Sequence, residues 1–511
     1  MAHLAFLLLL PLLLLLITAR LLWPRSKQLQ TLSRIPSPPA LPIVGHLHLV
    51  GSLPHVSLRD LAAKHGGNRG LMLLRLGSVP TVIVSTPSAA EAVLRTHDRV
   101  FSSRPSNPLA GVLFYGLLDA GFAPYGERWR QAKLLLTAHL LTAKKVRSFR
   151  GAREAEARRA VAAARDAAMD AGEVLDVSAL LMAYANDVMC RAVSGSFFFE
   201  DGRNRIIPDL TAVVKDVFGA FKLQDYFPAM ARVDVLSRSS LSKAMALRKR
   251  WDDLFDTLID FHVQKPPPKS IGDEDGDFID VMLSLTDEYG LTRDHIKAIL
   301  MNMFNAGTDT TYLVHEFAMA ELMRHPHAMA KVQAELRGKV TKNKEDIFEI
   351  LTEDDDLSSM AYLRAVIKET LRLHPPGPLF LPHLSTADCE VEGYMIPAGT
   401  TVMINAWGIG RDPGFWEDPE EFKPERFLEG GGHAAHVEYR GQDFNYIPFG
   451  SGRRICPGMN FGIASLEMML ANLLYHFDWE VPGGKGIDMT EKFGVTVHRK
   501  EKLMLIPKLK R

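Results

Sequence analysis

The stretch Phe449-Gly450-Ser451-Gly452-Arg453-Arg454-Ile455-Cys456-Pro457-Gly458 runs directly into an apolar, helix-spaced segment from Met459 to Tyr475. A cysteine at the start of a helix meets unpaired backbone N–H groups and the positive end of the helix dipole, and both favour the thiolate. Such a thiolate is suited to hold a metal. Gly450, Gly452 and Gly458 permit tight turns and a close approach of the backbone to a flat ligand. Phe449 is placed to shield the sulfur from water, and Arg454 offers a planar fork for a carboxylate. The ligand described by these features is flat, metal-bearing and anionic at its edge. Of the other cysteines, Cys190 falls within the helical stretch Met182 to Val193 and Cys389 in a short polar connection. Both read as inert buried thiols.

The chain has 511 residues, and after residue 45 no long linker or change of composition divides it, so one large core is expected. Three cysteines do not make a disulfide framework, which places folding of the body in a reducing compartment. Sixty basic and sixty acidic side chains cancel, removing the electrostatic case for nucleic acid and favouring a small or apolar partner. At the N-terminus, Leu4 to Leu22 is almost continuously apolar and long enough to cross a bilayer, and Pro11 is tolerated in such a helix. Arg20, Arg25 and Lys27 follow the span instead of preceding it, which speaks for an anchor over a cleaved signal and keeps the following chain cytosolic. The expected organisation is an anchor over 1–23, a basic and Pro-rich hinge over 24–45, and a body over 46–511. Prolines between Ile35 and Gly45 stiffen that hinge into an extended strut.

Helical spacing dominates the body, over 88–96, 127–140, 151–170, 176–194, 240–263, 292–324, 359–373 and 459–475. The clearest strand signal is a hairpin, Leu71 to Leu76 and Thr81 to Ser85 around Gly77-Ser78-Val79-Pro80. The fold class is therefore mainly α with a minor β-sheet domain. Gln264 to Asp277 and Leu428 to Asp443 read as mobile surface connections.

Near the middle of the helix expected over 292–324 stands Ala306-Gly307-Thr308-Asp309-Thr310-Thr311. Gly and consecutive Thr weaken a helix, and a hydroxyl that bonds back to a carbonyl one turn earlier opens its ladder and admits water. With Asp309 beside it, that opening makes a proton path. Elsewhere, Glu369 and Arg372 share one helical face, ahead of Pro424-Glu425-Arg426-Phe427. The same spacing in Glu156 and Arg159 shows that such a pair by itself says little. Trp129 follows Tyr125-Gly126 and opens a helix carrying Arg130 and Lys133.

Taken in order, the apolar span, Pro hinge, Trp helix, Ala-Gly-x-Asp-Thr-Thr helix, Glu-x-x-Arg pair, Pro-Glu-Arg-Phe segment and cysteine loop resemble the cytochrome P450 family, the haem-thiolate monooxygenases. The form of the cysteine loop is similar to that of the plant microsomal members that make specialised metabolites. Leu41-Pro42-Ile43-Val44-Gly45-His46-Leu47-His48 resembles the grass enzymes that oxygenate indole and indolin-2-one on the way to benzoxazinoids. The resemblance implies haem b ligated through Cys456 and a small hydrophobic substrate oxidised with O2. It implies that Thr310 and Asp309 serve oxygen activation and that Ala306 and Gly307 leave space over the haem. Trp129, Arg454, His383 and Lys133 fall at haem-contacting positions, although the family usually has Arg where this chain has Lys133. Glu369, Arg372 and Arg426 form its buried structural trio. Phe114, Tyr115, Phe304, Leu379, Phe380, Val495 and Thr496 fall at its substrate pocket.

No dinucleotide fingerprint follows Gly450-x-Gly452, so electrons come from outside the chain. The resemblance implies NADPH through a separate flavoprotein reductase, with a cytochrome b-type donor assisting, at the endoplasmic reticulum membrane. Arg130, Lys133 and Arg453 are the expected basic docking face for it. Two other classes fit a haem-thiolate loop: an isomerase or dehydratase that needs no external electrons, and a non-catalytic haem-binding protein. The presence of Thr310 speaks against the first, and neither consumes both O2 and NADPH.

Overall fold

The computed structural model describes residues 27–170, 172–219, 223–230, 235–264, 276–339, 349–352 and 357–510. The anchor expected over 1–23 and most of the connection after Gln264 lie outside them. Among the described residues no helix is long and apolar enough to cross a membrane.

The helices that position the site are α1 (Glu127–Leu134), α2 (Arg150–Met169), α3 (Val177–Ser194), α4 (Ile206–Gly219), α5 (Val235–Gln264), α6 (Arg293–Gly307), α7 (Asp309–Arg324), α8 (Ala361–Leu373) and α9 (Met459–His476). Their ends follow local chemistry. The Asp176 carboxylate accepts the Ala179 amide to start α3, and Gly195, at φ +58°, ends it. Thr292 and His295 form a capping box at the start of α6. The helix α7 stops one residue before Pro326.

The single helix expected over 292–324 is in fact two, divided at Thr308. The Thr310 hydroxyl donates to the Ala306 carbonyl at 2.5 Å, taking up an oxygen the backbone ladder would use. The buried core gathers α2, α3, α6, α7, α8 and α9. Two small residues set the closest approaches. A Cβ on Gly307 would stand 2.2 Å from Met189 Cε of α3, and one on Gly462 of α9 would stand 3.9 Å from Thr311 Oγ1 of α7. The start of α9, three residues after Cys456, therefore lies near Thr311, just beyond the break between α6 and α7.

Strands β1 (Leu71–Leu76), β2 (Val79–Val84), β3 (His383–Leu384) and β4 (Thr401–Ile404) form one sheet in the order β1-β2-β4-β3. The hairpin β1–β2 pairs Leu71 with Val84, and β2 runs parallel to β4. A second hairpin, β5 (Glu491–Phe493) with β6 (Val497–Arg499), projects Val495 from its turn. The described part of the hinge is not a free strut. Leu73 donates to the Pro36 carbonyl at 2.8 Å and Arg75 Nη2 to the Leu41 carbonyl at 2.8 Å, so it lies along β1.

Residues 428–443, expected to be mobile, are tied down. Val437 and Tyr439 are buried, Lys368 Nζ donates to the Val437 carbonyl at 2.9 Å, and Ser451 Oγ donates to the Gly441 carbonyl at 2.7 Å. A run rich in glycine looks flexible in sequence, but these bonds make it the backing of the cysteine loop.

His315, on α7, is fully buried between the carbonyls of Thr311 (2.8 Å) and Ser465 (3.3 Å). Burial holds its imidazole down at about 4, against its two carbonyl contacts. The unfolded chain therefore binds this proton more readily, so the contribution to stability is complete above pH about 6.5 and is lost as pH falls toward 4. Urea unfolding of the holoenzyme is expected to lose roughly 3 kcal/mol through this residue across that window. His315→Gln is expected to flatten the slope, which the pH dependence of the urea midpoint checks.

Candidate active site

Cys456 enters the site through a narrow turn. Its amide donates to the Phe449 carbonyl at 2.9 Å, while Gly450 (φ +72°) and Gly452 (φ +65°) adopt left-handed conformations. At Gly452 a Cβ would come within 1.8 Å of the Leu94 carbonyl oxygen, so no side chain fits there. Phe449 packs edge-on against Tyr439 at 5.9 Å. Cys190 and Cys389 are buried, as expected of inert thiols, whereas Cys456 retains accessible surface in the interior of the molecule.

Burial pushes the Cys456 thiol up, against the amides of Gly458 and Met459 and the Lys133 ammonium, which pull it down. The expectation that the helix start alone would hold a thiolate is therefore corrected: desolvation outweighs the dipole in the chain by itself. A bound metal deprotonates a coordinating thiol outright, and the amides then face the resulting charge.

Ala306 is exposed and Thr310 partly so, although both sit mid-chain in buried helices with Thr308, Asp309 and Thr311 buried beside them. Gly307 is used differently from the expectation, since its bare face is closed by Met189 and serves the α3–α6 packing.

Beside the loop lies a concentration of buried positive charge. Arg454 donates to the carbonyls of Ser102 (2.7 Å), Ala120 (3.0 Å) and Ala123 (2.6 Å), and its guanidinium lies 4.5 Å from the Trp129 ring centre. The Trp129 indole N–H also donates to the Ala120 carbonyl, at 3.2 Å. Arg104, not singled out from the sequence, donates to the carbonyls of Gly121, Leu381 and Pro382. Burial and the mutual repulsion of the two guanidiniums lower Arg104 to about 9, and burial lowers Arg454 to about 10. Burial brings Lys133 down to about 8, and its ammonium donates to the Ile455 carbonyl. His383 gives its Nδ1 proton to the Phe101 carbonyl at 2.7 Å, and burial with Arg104 and Arg454 nearby lowers it to about 3. Among the described residues, Asp119 is the carboxylate that opposes Arg104 and Arg454, and burial raises it despite bonds from the Phe122 and Gly121 amides and Asn302. Its Oδ1 has no partner. Phe101, Ser102, His383, Ser451 and Arg454 line a narrow cleft here.

The residues fit haem on two counts. A thiol at a glycine-lined turn keeps accessible surface for a metal, and the neighbouring cations are short of negative charge, which two propionates would provide.

The trio expected from the resemblance is assembled. Arg372 grips Glu369 through Nε (2.7 Å) and Nη2 (2.8 Å), and Arg426 Nε donates to Glu369 at 3.0 Å, all within the core. The remaining guanidinium hydrogens reach the carbonyls of Gly410, Glu417, Pro419 and Glu421, pinning that segment to α8.

The residues expected at the pocket divide. Phe114 stacks with Phe122, which stacks with Phe218 of α4, at 5.1 and 5.2 Å. Phe380 is half-buried and Val495 is exposed at the hairpin turn. Phe304 faces the other way, buried among Phe198, Trp251 and Phe255, and Leu379 packs beneath the sheet with Leu58, Met72 and Ile83; both are core residues here, a correction of the expectation. Tyr115 points its hydroxyl to Asp252 of α5 at 2.8 Å. Thr496 donates to Asp309 at 2.6 Å. Of the residues expected at a docking face, Arg130 bonds Glu127 and Arg453 bonds Asp98, both still exposed, while Lys133 is turned inward. A separate surface cleft of about 300 Å³ between α4 and α5, lined by Phe197, Leu210 and Arg250, shares no residue with the cysteine loop.

A mainly helical body with an accessible thiol at a glycine-lined turn and buried cations beside that turn fits a haem-thiolate protein. The cytochrome P450 family model matches residues 35–506, and the chain belongs to that family. It is 53% identical to the indolin-2-one monooxygenase of Zea mays, over 95% of this chain and 91% of that one. It is likewise 53% identical to the indole-2-monooxygenase of Zea mays, over 95% of this chain and 89% of that one. A zebra fish cytochrome P450 solved with progesterone has the same fold, with a TM-score of 0.73 at 24% identity, covering 89% of this chain and 99% of that one. The protein is a cytochrome P450 monooxygenase, and its family implies a haem cofactor.

Glu369→Gln leaves two buried guanidiniums facing a neutral amide. The expected result is a loss of about 3–5 kcal/mol in urea unfolding of the holoenzyme, with haem released at lower denaturant.

Proposed function

We propose that this protein is an NADPH- and O2-dependent hydroxylase of a small hydrophobic plant metabolite of the indole type, with haem b held by Cys456. The observation that carries the haem assignment is the half-open thiol beside buried Arg104 and Arg454, which only Asp119 opposes among the described residues. Arg454, Arg104, His383 and Trp129 would hold the propionate edge, Lys133 would offset charge near the sulfur, and Phe449 would keep water from it. When bound, the haem supplies the iron that activates O2 and inserts one oxygen atom into the substrate.

The chain's own residues position the substrate, exclude water and deliver protons. Ala306 leaves room above the cofactor. The Thr310 hydroxyl, bonded to Ala306, turns one acceptor site toward the reaction space. Asp309 passes protons to it, and its neighbours keep it ionised between deliveries: burial alone would raise it, but His498 and Lys215 hold it well below the usual carboxylate range. The apolar wall comes from Phe114, Phe122, Phe218, Phe380 and Val495. Stacked phenyl rings suit a flat bicyclic substrate, and the identity to the two maize enzymes supports the indole type. The apolar run Leu4 to Leu22 with the basic residues after it supports a single-pass anchor in the endoplasmic reticulum, body toward the cytosol. The lack of a dinucleotide fingerprint supports a separate reductase as electron donor, with cytochrome b-type assistance.

Cys456→Ala is expected to abolish the red-shifted band of the reduced carbon-monoxide complex; its persistence would disprove the ligand. With reductase and NADPH, indole and indolin-2-one are expected to give substrate-binding difference spectra and products one oxygen heavier. Oxidation of terpenes or fatty acids in their place rejects the substrate class.

A further inference from the structure

The Asp309 carboxylate is held by residues from two distant parts of the chain. Lys215 of α4 donates to its Oδ1 at 2.7 Å, and the Thr496 hydroxyl donates to its Oδ2 at 2.6 Å. His498 Nε2, on β6, lies 2.9 Å from Thr496 Oγ1 and 3.4 Å from Asp309 Oδ2. The direction of these bonds is forced. An ionised carboxylate only accepts, so the Thr496 proton points to Asp309, and the Thr496 oxygen is left to accept from an Nε2–H of His498. Every proton in the row is thus aimed inward.

The two ends differ in exposure: Asp309 is 5% and His498 25% accessible at the side chain. Of the side-chain types present, histidine is the one that ordinarily exchanges protons near neutral pH. We propose that His498 is the proton-entry residue for Asp309, loading it from solvent through the Thr496 hydroxyl. In one passage the imidazolium form of His498 gives its Nε2 proton to Thr496 Oγ1 and the Thr496 proton moves to Asp309 Oδ2, leaving a neutral imidazole and a carboxylic acid, and the imidazole is then reprotonated by hydronium or buffer acid from solvent. This extends the proposed proton delivery by Asp309 and rests on it. The charged groups around His498 are Asp309 and Glu316 of α7, Lys492 opposite it on β5, the adjacent Arg499, and Lys215 beyond Asp309. His498 and Thr496 act as positioning and relay residues, in a hairpin whose turn also carries Val495.

The test compares wild type, His498→Gln, Thr496→Val, Thr496→Ser and Asp309→Asn as holoenzymes with equal reduced carbon-monoxide spectra. Product formed per NADPH and peroxide released are followed from about pH 6 to 9. His498→Gln and Thr496→Val are expected to lower product per NADPH about tenfold and to remove its dependence on pH. Thr496→Ser, which keeps the hydroxyl, is expected to behave as wild type. Independently of turnover, the His498 Nε2–H is followed by NMR in the diamagnetic ferrous carbon-monoxide form, and its resonance is expected to move when the hydrogen bond to Thr496 is lost in Thr496→Val and to stay in place in Thr496→Ser. An unmoved resonance in Thr496→Val overturns the relay, as does normal coupling in His498→Gln and Thr496→Val while Asp309→Asn is uncoupled. Full coupling in Asp309→Asn removes the role of Asp309 itself, and with it the relay.

Discussion

Glu369, buried between Arg372 and Arg426, is the charge arrangement on which the rest of the site depends. A carboxylate out of water is tolerated only when paired and fully hydrogen-bonded, and here each guanidinium spends its spare hydrogens on the carbonyls of 410–421. That fixes an irregular segment to α8 as firmly as a helix would. Tyr446 adds a bond to the Lys368 carbonyl, and Lys368 in turn holds Val437, so the approach to the cysteine loop is rigid without regular structure.

The second group of buried charges has the opposite balance. Arg104 and Arg454 repel one another at the edge of the loop, and the Asp119 carboxyl that faces them is itself raised by burial. Positive charge in surplus is an unfavourable arrangement for a chain alone and a favourable one for a ligand with two carboxylates. The same reasoning applies to Cys456, whose thiol burial favours until a metal takes it as thiolate. Folding and cofactor capture are thereby coupled: the chain carries groups whose best-stabilised state includes the haem.

At the break between α6 and α7, one weakness in the helix serves two faces. The Thr310 hydroxyl on the inner side uses the Ala306 carbonyl, and Asp309 on the outer side reaches α4 and the β5–β6 hairpin. The turn of that hairpin bears the exposed Val495. Tyr115 is held in a left-handed conformation, φ +53°, and bonds to Asp252 of α5, which Lys297 of α6 also grips. The hairpin, α4 and α5 are thus tied to the same central helices.

The family and the ligand were legible in the chain because the features that fix them are local. The glycines around Cys456, the small residues at 306–307, the threonines after them and the helix boundaries near Pro326 all act within a few residues of each other. Glu369 with Arg372 was visible for the same reason, and Arg426 became so through a short motif. Tertiary structure alone decided which way each side chain turns and what it meets. It sent Phe304 and Leu379 into the core, turned Lys133 inward, gave Gly307 to Met189, and brought Arg104, Lys215 and His498 from distant segments to the site. Burial and pairing across long separations set charge and direction, and neither has a period or spacing along the chain that a sequence displays.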